Sequence, residues 1–196
     1  MSRLIIAGLV IAVLALGLAS GAPGHAQTEL HPAISPSLSP QDVASAFADG
    51  VVEVCAPAVV SGTRLVALAP AVRARISRAS DPDAARQVGA EAGDGVWDVV
   101  SAKGVVRIRE HDGRCVVSAY GPPAAATLAQ VARRLEASGQ GFERLAPTPG
   151  VGASEALVRT AGDKRVQVML QGSDPGKAGD KSRFSVLTAT VFRSPG

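Results

Sequence analysis

Two residue types in this chain can do chemistry at a defined spacing, and both are scarce. Cys55 and Cys115 are the only cysteines, and they stand 60 positions apart. That separation forms neither a C-x-x-C redox pair nor a zinc-finger spacing. An even count of two forces the connectivity if the thiols are oxidised, so the pair predicts one structural disulfide. Histidine is the other scarce type, with His25, His31 and His111 in the whole chain. His111 is followed by Asp112, which raises a base-and-orienter pair. Neighbours in a tight hairpin point to opposite faces, so the expectation is a solvent-exposed turn histidine. Cys55 with His111 would imitate a cysteine hydrolase, but the disulfide reading removes the nucleophile.

Other constellations fall short. Gly172-Ser173-Asp174-Pro175-Gly176-Lys177-Ala178 has a phosphate-loop flavour, but it is one residue short and Ala178 lacks the hydroxyl that holds magnesium. Asp81, Asp83 and Asp94 lack the further ligands of a calcium loop. No G-x-S-x-G elbow, H-E-x-x-H helix or S-x-x-K motif occurs. The sequence therefore assigns no catalytic, cofactor-binding or metal residue and no cofactor; its site residues are the disulfide pair Cys55 and Cys115.

The compartment is read from the first residues. After Arg3, Leu4 to Ala19 is an uncharged apolar run shorter than a membrane span requires, and Gly24-His25-Ala26 offers small residues at a peptidase cut. Residues 1–26 are expected to be a signal peptide, with a second possible cut after Ala22. Residues 27–38 are expected to be a flexible lead and residues 39–196 a single domain. A periplasmic or secreted location follows, with no stable membrane span after cleavage.

The formal net charge is only +3 despite a calculated pI of 9.2, and the chain has one Trp, one Tyr and four Phe. Nucleic-acid binding wants a concentrated basic face with interleaved aromatics, and neither is present. The densest basic stretch, Arg73, Arg75 and Arg78, reads as one solvated face of a short helix over 70–79. With few aromatics, the core must be built from Val, Leu, Ile and Ala.

The elements that must position these residues follow from periodicity. Ser39-Pro40-Gln41-Asp42 is a helix start: an N-cap, a proline at the first position and an acid in the first turn. Val43, Phe47, Val51 and Val54 line one face of that helix, Cys55 lies on its edge, and Pro57 is expected to end it. Residues 58–69 are ambiguous between strand and loop. A second short helix is expected from Asp81-Pro82 to about Ala90, and a strand from Val96 to Ala102.

Asp112-Gly113 is a strong two-residue hairpin turn between Val105–Glu110 and Arg114–Tyr120. Its register pairs His111 with Arg114, Ile108 with Val117 and Val106 with Ala119. The pleat then puts Cys115 on the apolar side with Val117, Ala119, Ile108 and Val106. Each cysteine thus reaches a buried face by a separate count, so the helix and the hairpin can be stapled together.

Further on, a helix carries the stripe Leu128, Val131, Ala132 and Leu135 and closes at Ser138-Gly139. A short strand is possible over 141–146. A second hairpin turns at Gly162-Asp163, residues 172–182 read as a mobile polar loop, and 183–193 is a last strand.

The order of elements predicts an α+β fold: an antiparallel sheet of about five to seven strands, two to four helices packed on one face, and one disulfide. The function expected is that of an exported non-catalytic protein of a bacterial-type periplasm or cell envelope, binding an envelope protein or a small ligand. The alternatives are a periplasmic hydrolase using acidic residues only, which scarce aromatics disfavour for sugar substrates, and a membrane-associated accessory protein.

Overall fold

A computed structural model describes residues 39–68, 70–73, 76–101, 104–146, 153–176 and 184–195. The signal peptide, the lead and the end of the 172–182 segment fall outside the described residues.

The first helix starts where capping chemistry places it. Ser39 is the N-cap of α1 (Pro40–Asp49), its hydroxyl accepting from the Asp42 amide at 3.2 Å, with Pro40 opening the helix. Val43, Phe47, Val51 and Val54 are all buried. Pro57 does not end the rod, contrary to expectation. The chain widens into a π-helical stretch over Gly50–Cys55 and continues as α2 (Ala56–Ser61). Proline costs a helix its amide and presses on the carbonyl four residues back; a wider turn just before it relieves the second of these. Gly62, at φ 71°, stops the rod in the left-handed conformation. The Pro40–Ser61 rod is 22 residues, and its most apolar stretch of 18 has a mean hydropathy of 1.6, long and apolar enough to cross a membrane, yet 78% of that stretch is buried within the fold. Here it is a core helix.

Between the rod and the sheet runs a 3-10 turn (Leu65–Ala67), then α3 (Pro70–Arg73) and the edge strand β1 (Ile76–Arg78). The single basic helix expected over 70–79 is therefore wrong. Ile76, Ser77 and Arg78 pair with Val99, Asp98 and Trp97, and the Arg78 guanidinium sits 5.9 Å from the Trp97 ring centroid. An open sheet edge outcompetes a weak helical preference.

One helical turn, α4 (Ala84–Gln87), precedes β2 (Gly95–Ser101), β3 (Gly104–His111), β4 (Arg114–Tyr120) and the helix α5 (Ala124–Ala137). Then come β5 (Glu143–Arg144), β6 (Ala153–Ala161), β7 (Lys164–Ser173) and β8 (Val186–Pro195). The strands form one antiparallel sheet in the order β1-β2-β3-β4-β8-β7-β6-β5. Eight strands among the described residues exceed the five to seven expected; the addition is β1, too short to show alternation. The α+β class and the disulfide stand. Both hairpins have their expected centres, with His111 opposite Arg114 and Ile108 opposite Val117.

The core lies between the sheet and the two long helices, α1–α2 and α5. Ile108, Val117, Ala189, Leu170 and Leu157 from the sheet are wholly buried with Phe47, Val51, Leu128 and Leu135 from the helices. Gly172 belongs to β7, correcting its assignment to a loop; a Cβ there would meet the Ala124 Cβ at 2.8 Å, so glycine lets α5 start close to the sheet. Asp174 Oδ1 accepts from the Ala124 amide (2.7 Å) and the Ser185 hydroxyl (3.0 Å), tying this end of the segment down.

α4 is strapped to the opposite face. Arg107, only 10% exposed, donates to Asp81 and Asp98, both at 3.0 Å, and to the Gln87 side chain. Tyr120 donates to the Gln87 carbonyl at 3.0 Å; burial pushes its phenol pKa up. Replacing Arg107 with Leu strands two carboxylates beside an apolar side chain and should cost about 2–3 kcal/mol. Urea unfolding checks this; a loss under about 0.5 kcal/mol would mean that the strap adds nothing to stability.

Candidate functional site

Cys55 and Cys115 are bonded, with Cα atoms 5.5 Å apart. The bond joins the last residue of the π-helical stretch to the second residue of β4 and is buried on both sides. Each partner comes from the face its own periodicity indicated.

Beside this staple opens a cleft of about 560 Å³. One wall is the end of α2 and the following loop, with Ala58, Val59, Gly62, Thr63, Arg64 and Leu65; the other is the β3–β4 hairpin tip from Glu110 to Cys115. Arg193 of β8 closes one side. Its guanidinium donates to the Val59 carbonyl (2.9 Å) and the Val60 carbonyl (3.3 Å), covering the carbonyl end of α2. Gly62 has no room for a side chain, because a Cβ would run into that guanidinium. The Leu65 amide donates to Glu110 Oε1 at 2.9 Å, tying the two walls together.

The charges in the cleft are unevenly satisfied. Arg64 makes no ion pair among the described residues. Arg114 makes none either; its guanidinium lies 6.0 Å from the Phe192 ring centroid. His111 stands at the mouth, 47% exposed. Its Nε2 is 3.2 Å from Asp112 Oδ2, so the adjacent acid does approach it despite the expected divergence. Its Nδ1 is 2.5 Å from Oδ1 of Asp94, whose side chain is only 2% exposed.

Sequence spacing alone, which offers Asp94 only as an incomplete calcium ligand, does not pair it with His111. The signal lies in the register: Gly95 pairs with Glu110, so the residue before it comes opposite His111. Asp94 Oδ2 accepts the Glu91 amide at 2.9 Å. That hydrogen bond, then the charges of His111 and Arg109, hold its carboxyl below the usual carboxylate range, against the opposing effect of burial.

The remaining candidates are placed elsewhere. Asp81 serves the Arg107 strap and Asp83 pairs with Arg86. His31 and the Lys177-Ala178 end of the glycine-rich loop lie outside the described residues. Among the described residues no group of three or more His, Cys, Asp or Glu is arranged to hold a metal ion. The arrangement suits anion binding: guanidinium groups without acid partners beside a rigid covalent staple. No protein-family model matches the chain, and neither does any curated protein or solved structure.

Proposed function

We propose that this chain is an exported binding protein of the periplasm or cell envelope, and that its cleft takes a small anionic ligand such as a carboxylate or a phosphate or sulfate ester. The observation that carries the reading is the cleft beside the disulfide, where Arg64 and Arg114 have no ion-pair partner among the described residues. A guanidinium offers a planar fork that matches carboxylate and phosphate geometry. Arg193 and Glu110 fix the walls through backbone contacts, so little ordering is left for the ligand to impose. The disulfide accords with an oxidising compartment, and so with export.

The test is calorimetric titration with sulfate and with malonate, on the protein and on an Arg64→Ser/Arg114→Ser double variant. Both arginines are exposed, so the variant should keep the fold. Binding by the parent should weaken about tenfold or more in the variant, the equivalent of one charge-assisted hydrogen bond. Absence of binding by both anions, or equal binding by the variant, would sink the reading.

A further inference from the structure

The sheet has a second face, turned away from α1, α2 and α5, and its register sets the side chains there in rows that cross the strands. One row runs Val116, Thr190, Met169 and Ala156 on β4, β8, β7 and β6. Leu145, whose amide donates to the Ala156 carbonyl at 2.8 Å, ends it. The next row runs Phe192, Gln167, Val158 and Glu143. Arg114 begins that row, one step beyond the Cys115–Val191 pair, with its guanidinium 6.0 Å from the Phe192 ring centroid. On the other side of the first row lie Ser118, Thr188 and Gln171.

This block is uncharged except at two points. Arg114 and Glu143 are both exposed, opposite in sign, and at the two ends of one row. Neither makes an ion pair among the described residues. Each stands two strands from β7, because the strand order here is β4-β8-β7-β6-β5. Met169, at the centre, is 42% exposed. α4 is strapped over β3 and the Tyr120 end of β4, and among the described residues no helix lies over β8, β7 and β6 on this side.

We propose that this face is the contact surface for a second copy of the chain, in a two-fold dimer whose axis runs along β7. That rotation lays Met169 on the partner's Met169 and Gln167 on the partner's Gln167, and it brings β4 over the partner's β5. Arg114 then meets the partner's Glu143, and Glu143 meets the partner's Arg114. One sequence supplies both halves of two ion pairs, as a self-complementary patch requires.

The charges choose this axis. A two-fold across the strands sets Arg114 over the partner's Ser118 and leaves it without an acid. Arg165, beyond Gln167 on β7, comes near its own copy only at the rim, where its long stem keeps the charge in water. Five strands span about 19 Å and three rows about 14 Å, so the face with its rim buries on the order of 1,000 Å² in total, the small end for a specific interface. The dimer is therefore weak, with a Kd on the order of 10 μM or higher. The cleft opens on the helix side of the sheet and shares only Arg114 with this face, so the dimer does not rest on the anion-binding reading.

Sedimentation velocity between about 5 and 500 μM tests this, and the mean mass should climb from monomer toward dimer across that range. Met169→Lys puts two ammonium groups on the axis and should raise the Kd about thirtyfold or more. Glu143→Arg and Arg114→Glu each set like charges against one another and should raise it about fivefold or more. The Arg114→Glu/Glu143→Arg double variant reverses both partners and should return it to within about twofold of the parent. All three positions are exposed, so the fold should be kept, and an unchanged Tm checks that. A parent that stays monomeric throughout, or a dimer that Met169→Lys leaves intact, would overturn the proposal. A dimer indifferent to the single reversals, or not restored by the double one, would overturn the two-fold along β7.

Discussion

Reducing the Cys55–Cys115 bond should lower stability by about 4 kcal/mol, the loop-entropy value for a closed segment of this length. For a domain of this size that corresponds to a fall in Tm of about 8–16 °C. Both cysteines are buried, at 0% and 2% exposure, in apolar surroundings, so alanine fits either position without adding a polar group. Cys55→Ala and Cys115→Ala should each show nearly the whole loss, and the double variant little more, since one bond is removed in all three. Differential scanning calorimetry with and without reductant reads the effect, and thiol titration of the unfolded, unreduced protein should find no free cysteine. A Tm unchanged within about 2 °C after complete reduction would show that the staple does not restrain the unfolded chain.

Phe47→Ala should cost about 3–5 kcal/mol. Phe47 is wholly buried and is the largest of the fully buried side chains, in a chain with only six aromatic residues. Its neighbours in the core are mainly Val, Ala and Leu on helices and strands held by the staple and by hydrogen-bonded pairing. Such surroundings collapse poorly into a void, which places the cost toward the upper end of that range. Phe47→Leu should lose roughly 1–2 kcal/mol because most of the volume remains. Urea unfolding with unchanged m values measures both. A loss under about 1 kcal/mol for Phe47→Ala would mean that the helix is not the centre of the core.

What was legible in the sequence was local. The start of α1 at Ser39-Pro40 is capping chemistry within four residues, and the stripe of α5 is a repeat within a few turns. The register of the first hairpin follows from Asp112-Gly113 alone. The disulfide was legible because two local counts, one helical and one strand-like, turned Cys55 and Cys115 inward.

The rest depended on partners distant in sequence. Pro57 is accommodated by a π-helical stretch whose packing is decided by the sheet. Ile76–Arg78 becomes a strand because β2 offers an edge. Asp94 joins His111 only through the register of β2 on β3. The cleft itself needs α2, the hairpin tip and Arg193, which meet from three distant parts of the chain, and no spacing rule connects them.

The order of strands also bears on how the molecule is made. β8 lies between β4 and β7, with Cys115 opposite Val191 on one side and Val168 opposite Val191 on the other. Strands β1 to β4 can pair as one local block and β6 with β7 as another, but each leaves an open edge until β8 enters between them. During synthesis from the N-terminal end, the centre of the sheet emerges last. The two cysteines, by contrast, both emerge before α5. The covalent bond can therefore precede completion of the sheet, holding the α1–α2 rod against an unfinished block while the strand that closes the core is still on its way.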